Sequence, residues 1–309
     1  MSREMWLALI GGGVSALASM AVFAGVPGGV LLVYLAPLPL LLVGLGCGAS
    51  AAATAGLAGF VFSGLMGGIS TAGIYAIIDA LPAWLITRQL LARQPAGQWN
   101  SLGPAVAWLS VLASVMLCIF ALTMRSETLG IDETITKYLT DALALMAPTL
   151  PENMRSSMVT VLTPLFLGMV GTAWVLMMMI NAGLAQAILA HNKGNLRPPP
   201  EIGDLALPSW TSWLIVGAAT LALPVDGQME YTLRNMVVVL ATPFFFLGMA
   251  VVHHAARFVT FPGTLLAFFY FVLMVSGWAP LVVVGIGMIE QWAGLRTRFT
   301  GPRNLSGTE

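Results

Sequence analysis

The run VTVLTPLFLGMVGTAWVLMMMI, Val159–Ile180, leads directly into NAGLAQAILAHNKGNLRPPPEIGDLALPSW, Asn181–Trp210, and the join between them decides the fold. The first run carries no charge and is long enough to cross a bilayer as a helix, which needs about 20 apolar residues. The second starts in helical pattern, with Asn181 and Gln186 as polar insertions. His191, Lys193 and Arg197 then bring charge, and Pro198, Pro199 and Pro200 end the helix because proline has no amide donor. Arg197 precedes proline and is biased to extended backbone. A new apolar run begins at Trp213. The stretch therefore leaves one membrane helix and enters the next. As the longest positively charged connection in the chain, it also sets orientation, since such loops stay on the cytoplasmic side.

Composition carries the same message over the whole length. The chain has 309 residues, 58% hydrophobic and 8% charged, with a mean hydropathy of +0.89. A soluble domain is about 25% charged, so this chain could not cover itself with polar surface in water. Its apolar runs are continuous rather than alternating, which selects helices over a barrel. The 33 glycines suit close helix approach. A formal net charge of zero gives nucleic acid no purchase. Cys47 and Cys118 both sit in apolar runs and read as small buried residues. The N-terminus contains a cleavage-like VFA-G at Val22–Gly25, but further spans follow at once, so the first helix is expected to be retained.

The expected fold is all-α: a polytopic bundle of eight to ten transmembrane helices in a single membrane domain. Apolar segments fall at about 5–25, 30–46, 49–66, 70–88, 104–124, 157–190, 211–225, 233–256, 262–277 and 279–295. The second and third, and the last two, are each either a hairpin or a bent helix. With both termini inside, Arg3, Arg88, Arg93, Lys193, Arg197, Arg257, Arg296, Arg298 and Arg303 are cytoplasmic, against Arg125, Lys137, Arg155 and Arg234 outside. This asymmetry favours ten spans, or any even count with both termini inside. The expected halves are 1–124 and 157–295, followed by a cytoplasmic tail, 296–309. Between the halves, 125–156 is a connector with Ile131, Ile135, Tyr138, Leu139, Ala142 and Met146 on one helical stripe. It is read as an amphipathic helix on the outer surface, resting on lipid or forming a lid over an external cavity. Thr149, Pro151 and Glu152 then resemble a capped helix start.

Asp79 is the one acid well inside a segment. Nine residues separate it from Arg88, which puts it near mid-membrane, where a charge costs at least about 2.5–3.5 kcal/mol. It must face protein or water. Two roles are open: a ligand or proton site, or a protonated donor to the Ile78 carbonyl that Pro82 frees. Asn181 is its expected neighbour, and Asp79, Asn181 and Gln186 are the candidate solute-binding residues. Small residues recur every four positions at Ala8, Gly12 and Ala16, and at Ala51, Ala55, Gly59, Ser63 and Gly67. Such stripes serve internal packing or dock a membrane partner. TPLFLGM at Thr163–Met169 echoes TPFFFLGM at Thr242–Met249, a pointer to paired proline-interrupted helices bent near Pro164 and Pro243. His253 and His254 are adjacent and cannot aim at one metal from one helix. No metal site or cofactor is expected. No HExxH, Walker or dinucleotide motif occurs, and the expectation is a non-enzyme.

PLPLLLVGLGCG (Pro37–Gly48), the Asn181–Trp210 stretch and GIGMIEQWAGLRTRF (Gly285–Phe299) resemble the YybS-like family of uncharacterised bacterial membrane proteins. The most specific features are Asn181 and Gln186, then NLRP with Asn195, Arg197 and Pro198, then LPSW. More remotely the chain is similar to substrate-binding subunits of energy-coupling-factor transporters. That likeness implies a small-molecule ligand and a membrane-protein partner, docked through small residues of the first helix, here Ala8, Gly12 and Ala16. A non-transporting scaffold of an envelope complex is the alternative.

Overall fold

A computed structural model describes residues 2–25, 27–95, 97–124 and 130–299. Arg125 and Arg303 of the charge balance, with the rest of 125–129 and 300–309, lie outside the described residues. The elements are α1 (Arg3–Met20), α2 (Gly29–Leu35), α3 (Pro37–Cys47), α4 (Ala49–Tyr75), α5 (Leu81–Leu91), α6 (Gly103–Met124), α7 (Ile131–Met146), α8 (Glu152–Leu162), α9 (Phe166–His191), α10 (Trp210–Ala222), α11 (Gln228–Ala256), α12 (Pro262–Val275), α13 (Ala279–Ala293) and α14 (Leu295–Phe299). The fold is an all-α polytopic membrane bundle. Among the described residues five helical stretches are long and apolar enough to cross: Gly29–Cys47, Ala49–Leu91, Gly103–Met124, Glu152–His191 and Gln228–Ala256. Shorter apolar helices are α10, α12 and α13.

The chain divides into two compact units. Residues Met1–Leu109 with Trp174–Glu201 form the first, and Ser110–Ala173 with Ile202–Glu309 the second.

In the first unit the stretch Ala49–Leu91 would be about 65 Å long if straight, twice the hydrocarbon thickness of about 30 Å. Gly68, with φ 82° and ψ 178°, breaks it. Beyond the break Gly64 lies against Ala72, Gly59 against Tyr75 and Gly56 against Ala80. Each step back along one arm matches a step forward along the other, so the arms are antiparallel. The expected segments 49–66 and 70–88 are the two arms of this helical hairpin. Gly48, at φ 110°, turns the chain between α3 and α4 in the same way, with Gly44 closing on Ala52 and Thr87.

The small-residue stripe of α1 is spent inside this unit. Ala8, Gly12 and Ala16 are buried, and a Cβ on Gly12 would run into the backbone of Ala55 and Gly59. The docking face expected at these three residues is therefore occupied by α4, because glycine and alanine there let two backbones meet. Ala55, Gly59 and Ser63 are the buried members of the α4 stripe.

In the second unit α11 and α13 pack antiparallel. Gly248 abuts Val283, and Gly287 abuts Phe244, so close that neither has room for a side chain. The amphipathic helix α7 turns Ile131, Ile135 and Leu139 into a cluster with Ala121, Val159 and Tyr231. The stripe thus packs on protein through Ile131, Ile135 and Leu139, while its Tyr138 and Met146 are exposed. α8 begins at Glu152 after Pro151 with no side-chain cap, so the expected cap at Thr149 is not made.

Candidate functional site

Asp79 lies in a π-helical turn, Ala76–Ala80, between α4 and α5. Such one-turn widenings recur at functional sites. Its residue is 4% exposed. Among the described residues its carboxyl has neither a hydrogen bond nor an ion pair. One turn away, the Tyr75 hydroxyl donates to Ser15 Oγ at 3.0 Å and is thereby engaged elsewhere.

Pro82 deprives the Ile78 carbonyl of its helical donor. Trp174 of α9 supplies another: its indole Nε1–H donates to Ile78 O at 3.2 Å. The Ile78 carbonyl thus has a donor that does not come from Asp79.

Asn181 is buried but does not join Asp79. Its Nδ2 donates to Tyr34 O at 2.8 Å and to Met177 O at 2.9 Å. It bridges helices as expected, but to the end of α2. It is seven residues beyond Trp174 in α9, about 10 Å along the axis, so it sits at a different depth from Asp79. Its Oδ1 is buried without a partner.

Gln186 belongs to a separate network that pins the proline-rich loop. Gln186 Nε2 donates to Arg197 O at 2.8 Å and Asn195 Nδ2 to the same oxygen at 2.6 Å. Arg197 Nη1 reaches Leu90 O at 2.7 Å and Asn100 O at 2.9 Å, and Nε reaches Pro198 O at 3.2 Å. The guanidinium also lies 5.8 Å from the Trp99 ring. Burial lowers the Arg197 pKa from its ordinary value. Asn195, Arg197, Pro198 and Gln186 thus hold the loop in place, and the three candidate solute residues do not converge on one point.

The second unit holds a counterpart to this clamp. Arg296 Nε pairs with buried Glu290 at 2.7 Å, while Nη1 and Nη2 donate to Gly203 O and Leu205 O at 2.7 and 2.9 Å. His253 Nδ1 meets Met249 O and its Nε2 meets the Tyr270 hydroxyl. Among the described residues no group of three His, Cys, Asp or Glu is placed to hold a metal.

The proline motif at Thr163 yields an arrangement that pattern reading missed. Thr163–Leu165 is a 3-10 turn between α8 and α9. Asn235 of α11, fully buried, inserts its amide there. Oδ1 accepts from Gly168 N at 2.7 Å, and Nδ2 donates to Pro164 O at 3.0 Å and to Tyr231 O at 2.8 Å. Gly168 N and Pro164 O would pair with each other in an unbroken helix. One turn earlier the Tyr231 hydroxyl donates to Thr163 O at 2.8 Å and faces the Leu167 amide. Two side chains four residues apart on α11 thus splice an opened turn. The echo at Thr242 does not repeat this: α11 runs unbroken through Pro243. An isolated amide at the eighth residue of a helix, as Asn235 is in α11, was the available signal.

Beside the opened turn is a cleft of about 400 Å³, walled by α7, α8 and α11. α7 forms one wall of it through Asp132 and Thr136.

A charge-poor helical bundle with five membrane-length stretches and a buried mid-helix carboxyl is an integral membrane protein. The chain belongs to the family described as predicted membrane protein (DUF2232), whose model matches residues 14–290. This agrees with a membrane family of no assigned activity, but it carries neither the YybS-like name nor a likeness to energy-coupling-factor subunits. No curated protein and no solved structure matches the chain.

Proposed function

We propose that the protein binds a small solute within the bilayer as a component of a transporter, and that Asp79 makes the charge-bearing contact. The supporting observation is the buried Asp79 carboxyl with no protein partner, beside an Ile78 carbonyl to which Trp174 donates. Intramembrane acids of this kind mark solute, ion or proton paths. The resemblance to energy-coupling-factor subunits noted in the sequence motivates this reading; the family match favours neither it nor the scaffold. The partner surface of such subunits does not carry over, because Ala8, Gly12 and Ala16 are packed inside. The sequence offers no ATP motif, so the energy would come from a partner or an ion gradient. The protein performs no catalysis in this reading, and both termini lie on the cytoplasmic side of the inner membrane.

The test begins with mass spectrometry of small molecules retained after gentle purification. Each is then added to wild type and to Asp79→Asn while thermal unfolding is followed. A ligand at 100 times its Kd stabilises by about 2.7 kcal/mol. The expected result is a normally folded Asp79→Asn that has lost this shift. A full shift in Asp79→Asn rejects the proposal. Co-purification of protein subunits with no response to any retained molecule points instead to the scaffold.

A further inference from the structure

The cleft in the second unit has chemistry of its own. Asp132 and Thr136 of α7, Thr160 of α8, Thr163 of the opened turn, and Glu230 and Arg234 of α11 line it. Two carboxylates face one guanidinium, and that guanidinium is already paired with Glu230. Among the described residues the Asp132 carboxylate has no ion pair and no hydrogen bond. Pro164 lacks an amide hydrogen, so it takes the helical donor away from the Thr160 carbonyl. Thr160 spends its hydroxyl hydrogen on Ser156 O at 2.9 Å. Thr136 Oγ1 and Thr163 Oγ1 are 3.4 Å apart. The walls therefore present oxygen acceptors in excess of donors and a net charge of one minus. The volume is within the range of small-molecule sites, about 300–1,000 Å³.

We propose that this cleft binds a small hydroxylated primary ammonium compound. The ammonium sits on Asp132 and on the Thr160 carbonyl that Pro164 leaves without its helical donor, and the hydroxyl lies among the threonines. A primary ammonium suits the site because it has three hydrogens to donate, and the Asp132 carboxylate and the Thr160 carbonyl and hydroxyl oxygens are acceptors. The splice by Tyr231 and Asn235 keeps the turn open whether or not a ligand is present. This site is independent of the Asp79 reading.

The probe is ethanolamine, titrated into the full-length detergent-solubilised protein by calorimetry at neutral pH, with choline and glycolate as comparisons. Saturable binding of ethanolamine is expected, with choline at least tenfold weaker because it cannot donate, and with no binding of glycolate. Asp132→Asn, at an exposed position in the first turn of α7, should weaken ethanolamine at least tenfold while melting like wild type. Thr136→Val should weaken it by a smaller factor. Asp79→Asn should bind ethanolamine as wild type does, which separates failure here from failure of the Asp79 proposal. Absence of saturable ethanolamine binding overturns the site. So does glycolate binding as tightly, or an unchanged affinity in Asp132→Asn.

Discussion

Asn235 shows how much one buried amide can decide. It has an acceptor for Gly168 N–H and donors for two carbonyls, and only a carboxamide offers both on one planar group. Asn235→Leu is close in size but leaves the Gly168 amide and the Pro164 carbonyl unpaired. Each such buried group costs about 1–3 kcal/mol. A clear fall in thermal midpoint is expected, against little change for exposed Asn192→Ala. Equal midpoints for the two variants would show that the splice does not hold the turn. Sequence placed Asp79 correctly in the interior because charge in hydrocarbon has few permitted environments. It could not supply Trp174 as the donor to Ile78, since that meeting depends on how α9 passes the π-helical turn. For the same reason the sequence points Asn181 to Asp79, whereas its amide bonds Tyr34 O.

At the scale of elements, the apolar segments are legible in sequence to within about five residues at each end, because bilayer thickness and proline positions constrain helix ends. What periodicity could not show is how adjacent segments join. Gly68 holds φ 82° and ψ 178°, a region open essentially to glycine, where another residue costs about 1–3 kcal/mol. Gly68→Ala is therefore expected to lower the thermal midpoint. Gly73→Ala is its counterpart in a regular helical position with open space around it, and it should be neutral or stabilise by up to about 1 kcal/mol. Similar effects from both would mean that the reversal at Gly68 is not tight. The stripe of α7 was read correctly, but one amphipathic face fits lipid and protein alike. Only the cluster with Val159 and Tyr231 separates the two.

At the scale of the whole molecule, charge asymmetry along the chain predicts orientation but not grouping. The loop from Asn181 to Trp210 is gripped in its first part by Arg197 through carbonyls of Leu90 and Asn100. Its later part is gripped by Arg296 through carbonyls of Gly203 and Leu205. Neither grip could be read in sequence, as backbone carbonyls leave no residue signature. The orientation proposed above is tested in a variant lacking Cys47 and Cys118. Single cysteines at Lys193 and Arg298 should be shielded from an impermeant thiol reagent in intact cells, and one at Lys137 should react. Labelling at Arg298 without labelling at Lys193 would require an odd number of crossings and reject a common side for that loop and the tail.

The reversal at Gly68 also bears on how the chain enters its membrane. The arm from Ala49 to the turn is about 28 Å long, just under the hydrocarbon thickness, and the tip carries exposed Leu65, Met66 and Ile69. No polar loop stands between the arms. A translocation machine would have little hydrophilic to push through at this point, so the two arms are expected to partition together, as a closed pin with an apolar point, and a protease added on the far side should cut nothing between them.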